Sequence, residues 1–171
     1  MGRMAISRID PSQNEFLAGL EAKGKQENPF FRVMAHRPEV LKNFVPLYGA
    51  IAGPSSVERR LKELTYLVAS IANRCAYCTA AHTAAARKAG ITEDEVRAIE
   101  NEQNAIFPPA EQALVAYARE LTRTASIADA TRDALAANFT EEQVVELTLV
   151  VAIANFTNRF NNGLGIMPLG K

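Results

Sequence analysis

An all-α fold is predicted by three observations. Apolar residues recur at three- and four-residue spacing along most of the chain, helix-capping boxes occur twice, and no stretch alternates apolar and polar residues as a strand would. Seven or eight helices are expected. They form one domain over residues 1–171, with residues 1–28 as an N-terminal helical extension.

The elements follow in order. Residues 13 to 24 place Phe16, Leu17 and Leu20 at helical spacing. The stretch "ENPFFRVMAHRPEVLKNFVPLYGAIAGP" predicts a short helix over 30–36 and a second that starts with Pro38 in its first turn. Pro46 should kink that second helix, and Gly53-Pro54 should end it. Next comes "SSVERRLKELTYLVASIAN", with Ser55 or Ser56 as the expected N-cap and an apolar stripe of Leu61, Leu64, Leu67, Val68 and Ile71. Asn73-Arg74 reads as a break, after which an Ala-rich helix spans about 75–89 and closes at Gly90. Thr92 with Glu95, and Thr140 with Gln143, announce two further helices. Between them Pro109 opens a helix to Thr124, and residues 128–138 carry another.

The chain also echoes itself. "ELTYLVASIANRCAYC" at 63–78 is similar to "ELTLVVAIANFTNRFN" at 146–161, and a gapless alignment sets Cys75 against Asn158 and Cys78 against Asn161. An internal helical repeat is the reading; two buried Leu/Val/Ala helices alike by composition are the plain alternative.

Composition bounds the function. The chain has 171 residues, 48% hydrophobic and 22% charged, an ordinary balance for a chain that buries a core without disulfides. Lys plus Arg total 19 and Asp plus Glu total 19, so nothing in the charge points to nucleic acid or an acidic membrane. The N-terminus lacks the apolar stretch of a signal peptide, and Ile6 stands where a myristoylation signal needs Ser or Thr. The most apolar run, Leu147 to Ala154, is far short of the ~20 residues of a spanning helix. A cytoplasmic location is expected, and in that reducing compartment a close cysteine pair is chemical rather than a structural staple.

Both cysteines and one of the two histidines lie in "NRCAYCTAAH". Cys75 and Cys78 are i and i+3, and Cys78 and His82 are i and i+4, so all three share one helix face. A helix start at Cys75 favours a thiolate through unpaired amides and the positive dipole end. Glu63 lies twelve residues before Cys75, about 120° off the cysteine face of an unbroken helix. A fold-back at 73–74 instead brings Glu63 level with His82 on the neighbouring helix. A carboxylate there orients the imidazole, favours its cation and lets it take a thiol proton. The inferred relay runs from Glu63 through His82 to Cys78, with Cys75 placed to close a disulfide. Which cysteine attacks is open at this level: the helix start favours Cys75 and the histidine favours Cys78. Tyr77 reads as a pocket wall. His36, before a proline turn, has no evident partner.

The pattern Glu63-x11-Cys75-x2-Cys78-x3-His82 resembles the active-site signature of the alkylhydroperoxidase D-like proteins of the carboxymuconolactone decarboxylase superfamily. The segment from Asn28 to Leu64 is similar to what precedes the motif in that family, and "NRFNNGLGI" resembles its tail. The resemblance implies an all-helical fold with repeat character, a trimer or hexamer, and thiol-based reduction of organic hydroperoxides without a cofactor or metal. It implies that Cys78 attacks, Cys75 resolves, and His82 with Glu63 relays protons. A thiol reductant or reductase protein would restore the thiols. One departure stands out: a well-known subgroup carries histidine just before the second cysteine, and this chain has Tyr77. Three other functions compete. These are lactone decarboxylation, which needs no cysteine pair; a metal-binding scaffold using Cys75, Cys78 and His82 with Glu63 or water as the fourth ligand; and a redox sensor that only switches assembly.

Overall fold

A computed structural model describes residues 6–24 and 26–169, and among these every regular element is helical. The first five positions, on which the leader and acylation readings largely rest, lie outside the described residues. The described residues form nine α-helices: α1 (Glu15–Gly24), α2 (Pro29–Met34), α3 (Pro38–Ala52), α4 (Arg59–Ala72), α5 (Ala76–Lys88), α6 (Glu93–Glu100), α7 (Pro109–Thr124), α8 (Asp129–Ala136) and α9 (Glu141–Leu164). Single 3₁₀ turns at Pro11–Gln13 and Asn104–Ile106 precede α1 and α7. The count exceeds the seven or eight expected. Short helices such as α2 and α6 persist because side chains cap their starts, Asn28 for α2 and the Thr92–Glu95 box for α6.

Helices α4 and α9 pack along each other and divide the interior in two. On one side Leu64, Leu67 and Val68 of α4 and Leu147 and Val151 of α9 meet Leu114 and Val115 of α7, Ile99 of α6 and Leu135 of α8. On the other, Tyr66 and Ala69 of α4 and Val150, Ile153 and Ala154 of α9 meet Leu17, Phe30, Leu41 and Phe44 from the first three helices. Both helices are thus apolar on two faces, as a central helix must be. Leu17 is fully buried, so the N-terminal extension contributes to this second core.

The start of α4 departs from the sequence reading. Glu58 flanks it without a capping bond, and Ser55 and Ser56 instead donate to the Glu146 carboxylate on α9, at 2.8 Å for Ser56. Glu146 also holds the buried Lys62 ammonium at 2.5 Å. Lys62 in turn donates to the Ile51 and Gly53 carbonyls at 2.9 and 2.6 Å, satisfying the end of α3. The serines are drawn off because a partly buried carboxylate needs donors more than a solvated helix end does. Pro46 sits inside α3 without ending it. Gly53 does end it: a Cβ there would lie 2.7 Å from the Gly49 carbonyl oxygen.

The break at 73–74 forms as read, with Arg74 the residue in the left-handed region at φ 53°. Asn73 closes α4, and its Nδ2 donates to Asn155 and Asn158 Oδ1 at 3.0 and 2.9 Å. Asn162 Nδ2 returns a bond to the Asn73 carbonyl at 2.9 Å, so the turn before the cysteines is fastened to α9. The two echoing segments differ here: α9 runs unbroken where the first copy turns back on itself.

Candidate active site

Cys75 is the N-cap of α5 rather than a residue of its first turn. Its Sγ accepts from the Cys78 amide at 3.3 Å, a capping bond made by sulfur. Cys78 lies one turn in. Both thiols are free and buried, at 0% and 3% exposure. A further hydrogen bond reaches Cys78 from α9, where Asn161 Nδ2 donates to Sγ at 3.1 Å.

These contacts separate the two thiols electrostatically. Cys78 is lowered from an ordinary 9.0 to about 7, chiefly by a hydrogen bond from the Cys75 thiol, against burial, with Asn161 and Asn158 adding to the effect. Cys75 is pushed up by the bond it gives to Cys78 and by burial. The pair therefore favours a Cys78 thiolate held by a Cys75 thiol.

The fold-back brings Glu63 and His82 together as expected, with Nδ1 of the imidazole 2.9 Å from Glu63 Oε2 and both side chains mostly buried. Arg59 stands 3.9 Å from the other carboxylate oxygen. The His82 ring lies flat on Tyr66, centroids 3.5 Å apart and planes 14° from parallel. Among the described residues no hydrogen bond joins His82 to either sulfur. The Glu63–His82 half of the expected relay is formed, and its His82–Cys78 half is made of two groups facing one cavity.

That cavity is about 160 Å³ and is walled by Phe30, Phe31, Phe44, Tyr48, Tyr66 and Tyr77. Cys78, His82 and Asn161 also line it. Tyr77 is a wall, as read, and its hydroxyl donates to Asn28 Oδ1 at 3.2 Å. Burial pushes Tyr48 up to about 12 and raises Tyr66 and Tyr77 as well, so all three stay neutral phenols beside the sulfur. His36 lies elsewhere and has a partner after all: its Nε2 donates to the Ser7 carbonyl at 2.9 Å. No three His, Cys, Asp or Glu side chains among the described residues converge as a metal site; Glu63 is turned to the imidazole instead.

The model of the carboxymuconolactone decarboxylase family matches residues 38–120, a span that contains Glu63, Cys75, Cys78 and His82. The uncharacterized protein YdfG of Bacillus subtilis is 31% identical over 121 residues, covering 68% of this chain and 82% of that protein. The chain belongs to the carboxymuconolactone decarboxylase family. Within that family it is alkylhydroperoxidase D-like. Protein ATU0492 of Agrobacterium tumefaciens, of unknown function and named for AhpD antioxidant defence, is 26% identical with a TM-score of 0.74, covering 80% of this chain and 95% of its own. An uncharacterized peroxidase-related protein from Silicibacter sp. TM1040 shares the fold at 23% identity and a TM-score of 0.83, over 98% and 91% of the two chains. The debrominase Bmp8 shares it at 22% identity and a TM-score of 0.84, over 98% and 94%.

Sequence reasoning missed one part of this family member's site. Asn161 and Asn158 lie eighty or more positions from the cysteines, and the internal echo aligns them with Cys78 and Cys75 without saying what they do. That alignment was the available signal, since the structure sets Asn161 against the cysteine it pairs with in the echo.

Proposed function

We propose that the protein is a thiol-dependent peroxidase that reduces organic hydroperoxides with Cys78 as nucleophile and Cys75 as resolving thiol. The observation that carries this reading is the Cys78 sulfur, which accepts from Asn161 Nδ2 at 3.1 Å, lies one turn into the helix that Cys75 caps, and lines a small aromatic cavity shared with His82. A thiolate at neutral pH, with a resolving thiol three residues before it and a proton donor four residues after it, is what two-electron reduction of a peroxide needs.

The steps balance as follows. The Cys78 thiolate attacks the terminal oxygen of R–O–O–H; the S–O bond forms, the O–O bond breaks, and the electron pair leaves on R–O⁻. His82, oriented by Glu63 at 2.9 Å, supplies the proton that makes the alcohol. The Cys75 thiol then displaces water from the Cys78 sulfenic acid, giving the disulfide. The two cysteines are i and i+3 at a helix start, so closure needs only local movement. An external dithiol or reductase protein returns two electrons. We further propose a cytoplasmic protein that works as a trimer or hexamer.

Neutral phenols and phenyl rings around the sulfur suit an apolar organic group on the peroxide. A debrominase on the same fold marks that the fold does not choose the electrophile, so this reading rests on the residues alone. Steady-state consumption of cumene hydroperoxide with dithiothreitol as reductant tests it. The wild type should turn over and Cys78→Ser should not; equal consumption by both would remove Cys78 from the reaction.

A further inference from the structure

Asn161 is only half used in the resting site. It is 1% exposed and lines the cavity over Cys78, and Nδ2 donates to the Cys78 sulfur. Its Oδ1 is buried and, among the described residues, has no hydrogen-bond partner. A buried acceptor without a donor costs stability and calls for an explanation, a catalytic role among them.

The amide is also fixed in direction and in place. A thiolate only accepts, so the nitrogen end faces the sulfur and the oxygen end is left over. The adjacent backbone is held by the Ile166 amide, which donates to the Asn161 carbonyl at 2.9 Å. One turn earlier Asn158 bridges α9 to Ser70 and Asn73 at 3.2 and 2.9 Å. Asn161 therefore has little freedom to turn elsewhere for a partner.

Resting on the peroxidase reading, we infer that Asn161 is a further catalytic residue. Its Nδ2 holds the Cys78 thiolate, and its Oδ1 accepts the hydrogen of the terminal O–H, first in the hydroperoxide and then in the Cys78 sulfenic acid. In the attack that hydrogen stays on the transferred oxygen: R–O–O–H with Cys78–S⁻ gives Cys78–S–O–H and R–O⁻. The donor is thus carried on the oxygen that joins the sulfur, next to the waiting acceptor. One carboxamide then serves the nucleophile with its nitrogen and the incoming oxygen with its oxygen. The disulfide step releases that oxygen as water and returns Oδ1 to its unpaired state.

The test uses Asn161→Leu, close in volume and without either polar end, in a Cys75→Ala background that traps the sulfenic acid. Two rates are measured at pH 7: alkylation of Cys78 by iodoacetamide, which reads the thiolate alone, and oxidation by cumene hydroperoxide, trapped with dimedone. Loss of Nδ2 should slow alkylation about tenfold or more, as the loss of one charge-assisted hydrogen bond to a minority thiolate allows. Loss of Oδ1 should slow oxidation about tenfold beyond that, the size of one further hydrogen bond to the reacting group. Oxidation that falls only in proportion to alkylation overturns the Oδ1 role, and unchanged alkylation overturns the Nδ2 role. If wild-type Cys78 resists the hydroperoxide altogether, the peroxidase reading falls and takes the Oδ1 role with it, while alkylation still decides Nδ2. Should Asn161→Leu not fold, the side-chain NH₂ resonances of Asn161 decide with that residue intact. They should shift as Cys78 ionises and again on sulfenic acid formation; resonances that ignore both changes overturn the inference.

Discussion

Replacing Cys75 with alanine should make Cys78 a poorer nucleophile without touching Cys78 itself. The Cys75 thiol is the first cause of the lowered Cys78 value, which stands at about 7 against an ordinary 9.0. A hydrogen bond to a charged group is worth about 1.5–3 kcal/mol, which is roughly one to two pKa units. Cys75→Ala should therefore move the Cys78 midpoint from about 7 to between roughly 8 and 9, leaving Asn161 and the α5 start to hold what remains. At pH 7 the thiolate fraction would fall from about one half to about one tenth or less, and alkylation would slow by about the same fivefold or more. The sign is fixed by the thiol being an acid: a depressed value keeps the thiolate as pH falls toward 7, and its loss moves the whole curve to higher pH. The assay is the rate of iodoacetamide alkylation at Cys78 from pH 5 to 10, read by peptide mass spectrometry. Cys75→Ser, which keeps a hydroxyl donor, should fall between the two. A Cys75→Ala midpoint still near 7 would refute the idea that one thiol supports the other, and would assign the effect to α9 and the helix start.

Three further outcomes are expected. Glu63→Gln keeps an acceptor for the His82 ring but loses the charge, so hydroperoxide turnover should fall about tenfold, less than the ~10²-fold or more of a whole general acid because His82 itself remains; Cys78 alkylation at pH 7 should change little, and an equal fall in both would show that Glu63 acts on the thiol. Lys62→Met leaves Glu146 without its buried ammonium partner and frees the carbonyls that end α3, so urea unfolding should show a loss of about 3 kcal/mol. A loss below about 0.5 kcal/mol would mean that the pair is no better than a surface one. Leu67→Ala removes a fully buried side chain of α4, and chemical denaturation should report a loss of about 2–5 kcal/mol; a value under 1 would place little weight on that core.

The helices and most of the site were legible because the forces that set them are local. Capping boxes at Thr92 and Thr140 and the proline start at 109 act within one turn of chain, and each marks the helix it announces. The meeting of Glu63 and His82 was legible for a similar reason: one break at 73–74 fixes how α4 and α5 face each other. Ser55 and Ser56 depart from the capping role that spacing suggests because a local preference of about 1 kcal/mol yields to a partly buried carboxylate that arrives from α9. Asn161 and the Ser7 partner of His36 depend on packing across 83 and 29 residues, and no local rule ranks one such asparagine or carbonyl above another. Nor does spacing say which of two cysteines is the stronger acid. That follows from which sulfur caps the helix, and which receives the other's hydrogen and the Asn161 amide.

The most direct test adds one equivalent of cumene hydroperoxide to the fully reduced protein and counts thiols by alkylation and mass spectrometry. Wild type, Cys75→Ser and Cys78→Ser are run side by side. The account predicts rapid loss of both thiols in the wild type, a sulfenic acid trapped on Cys78 in Cys75→Ser, and no oxidation at Cys75 in Cys78→Ser. Survival of both wild-type thiols, or a sulfenic acid on Cys75, would contradict it.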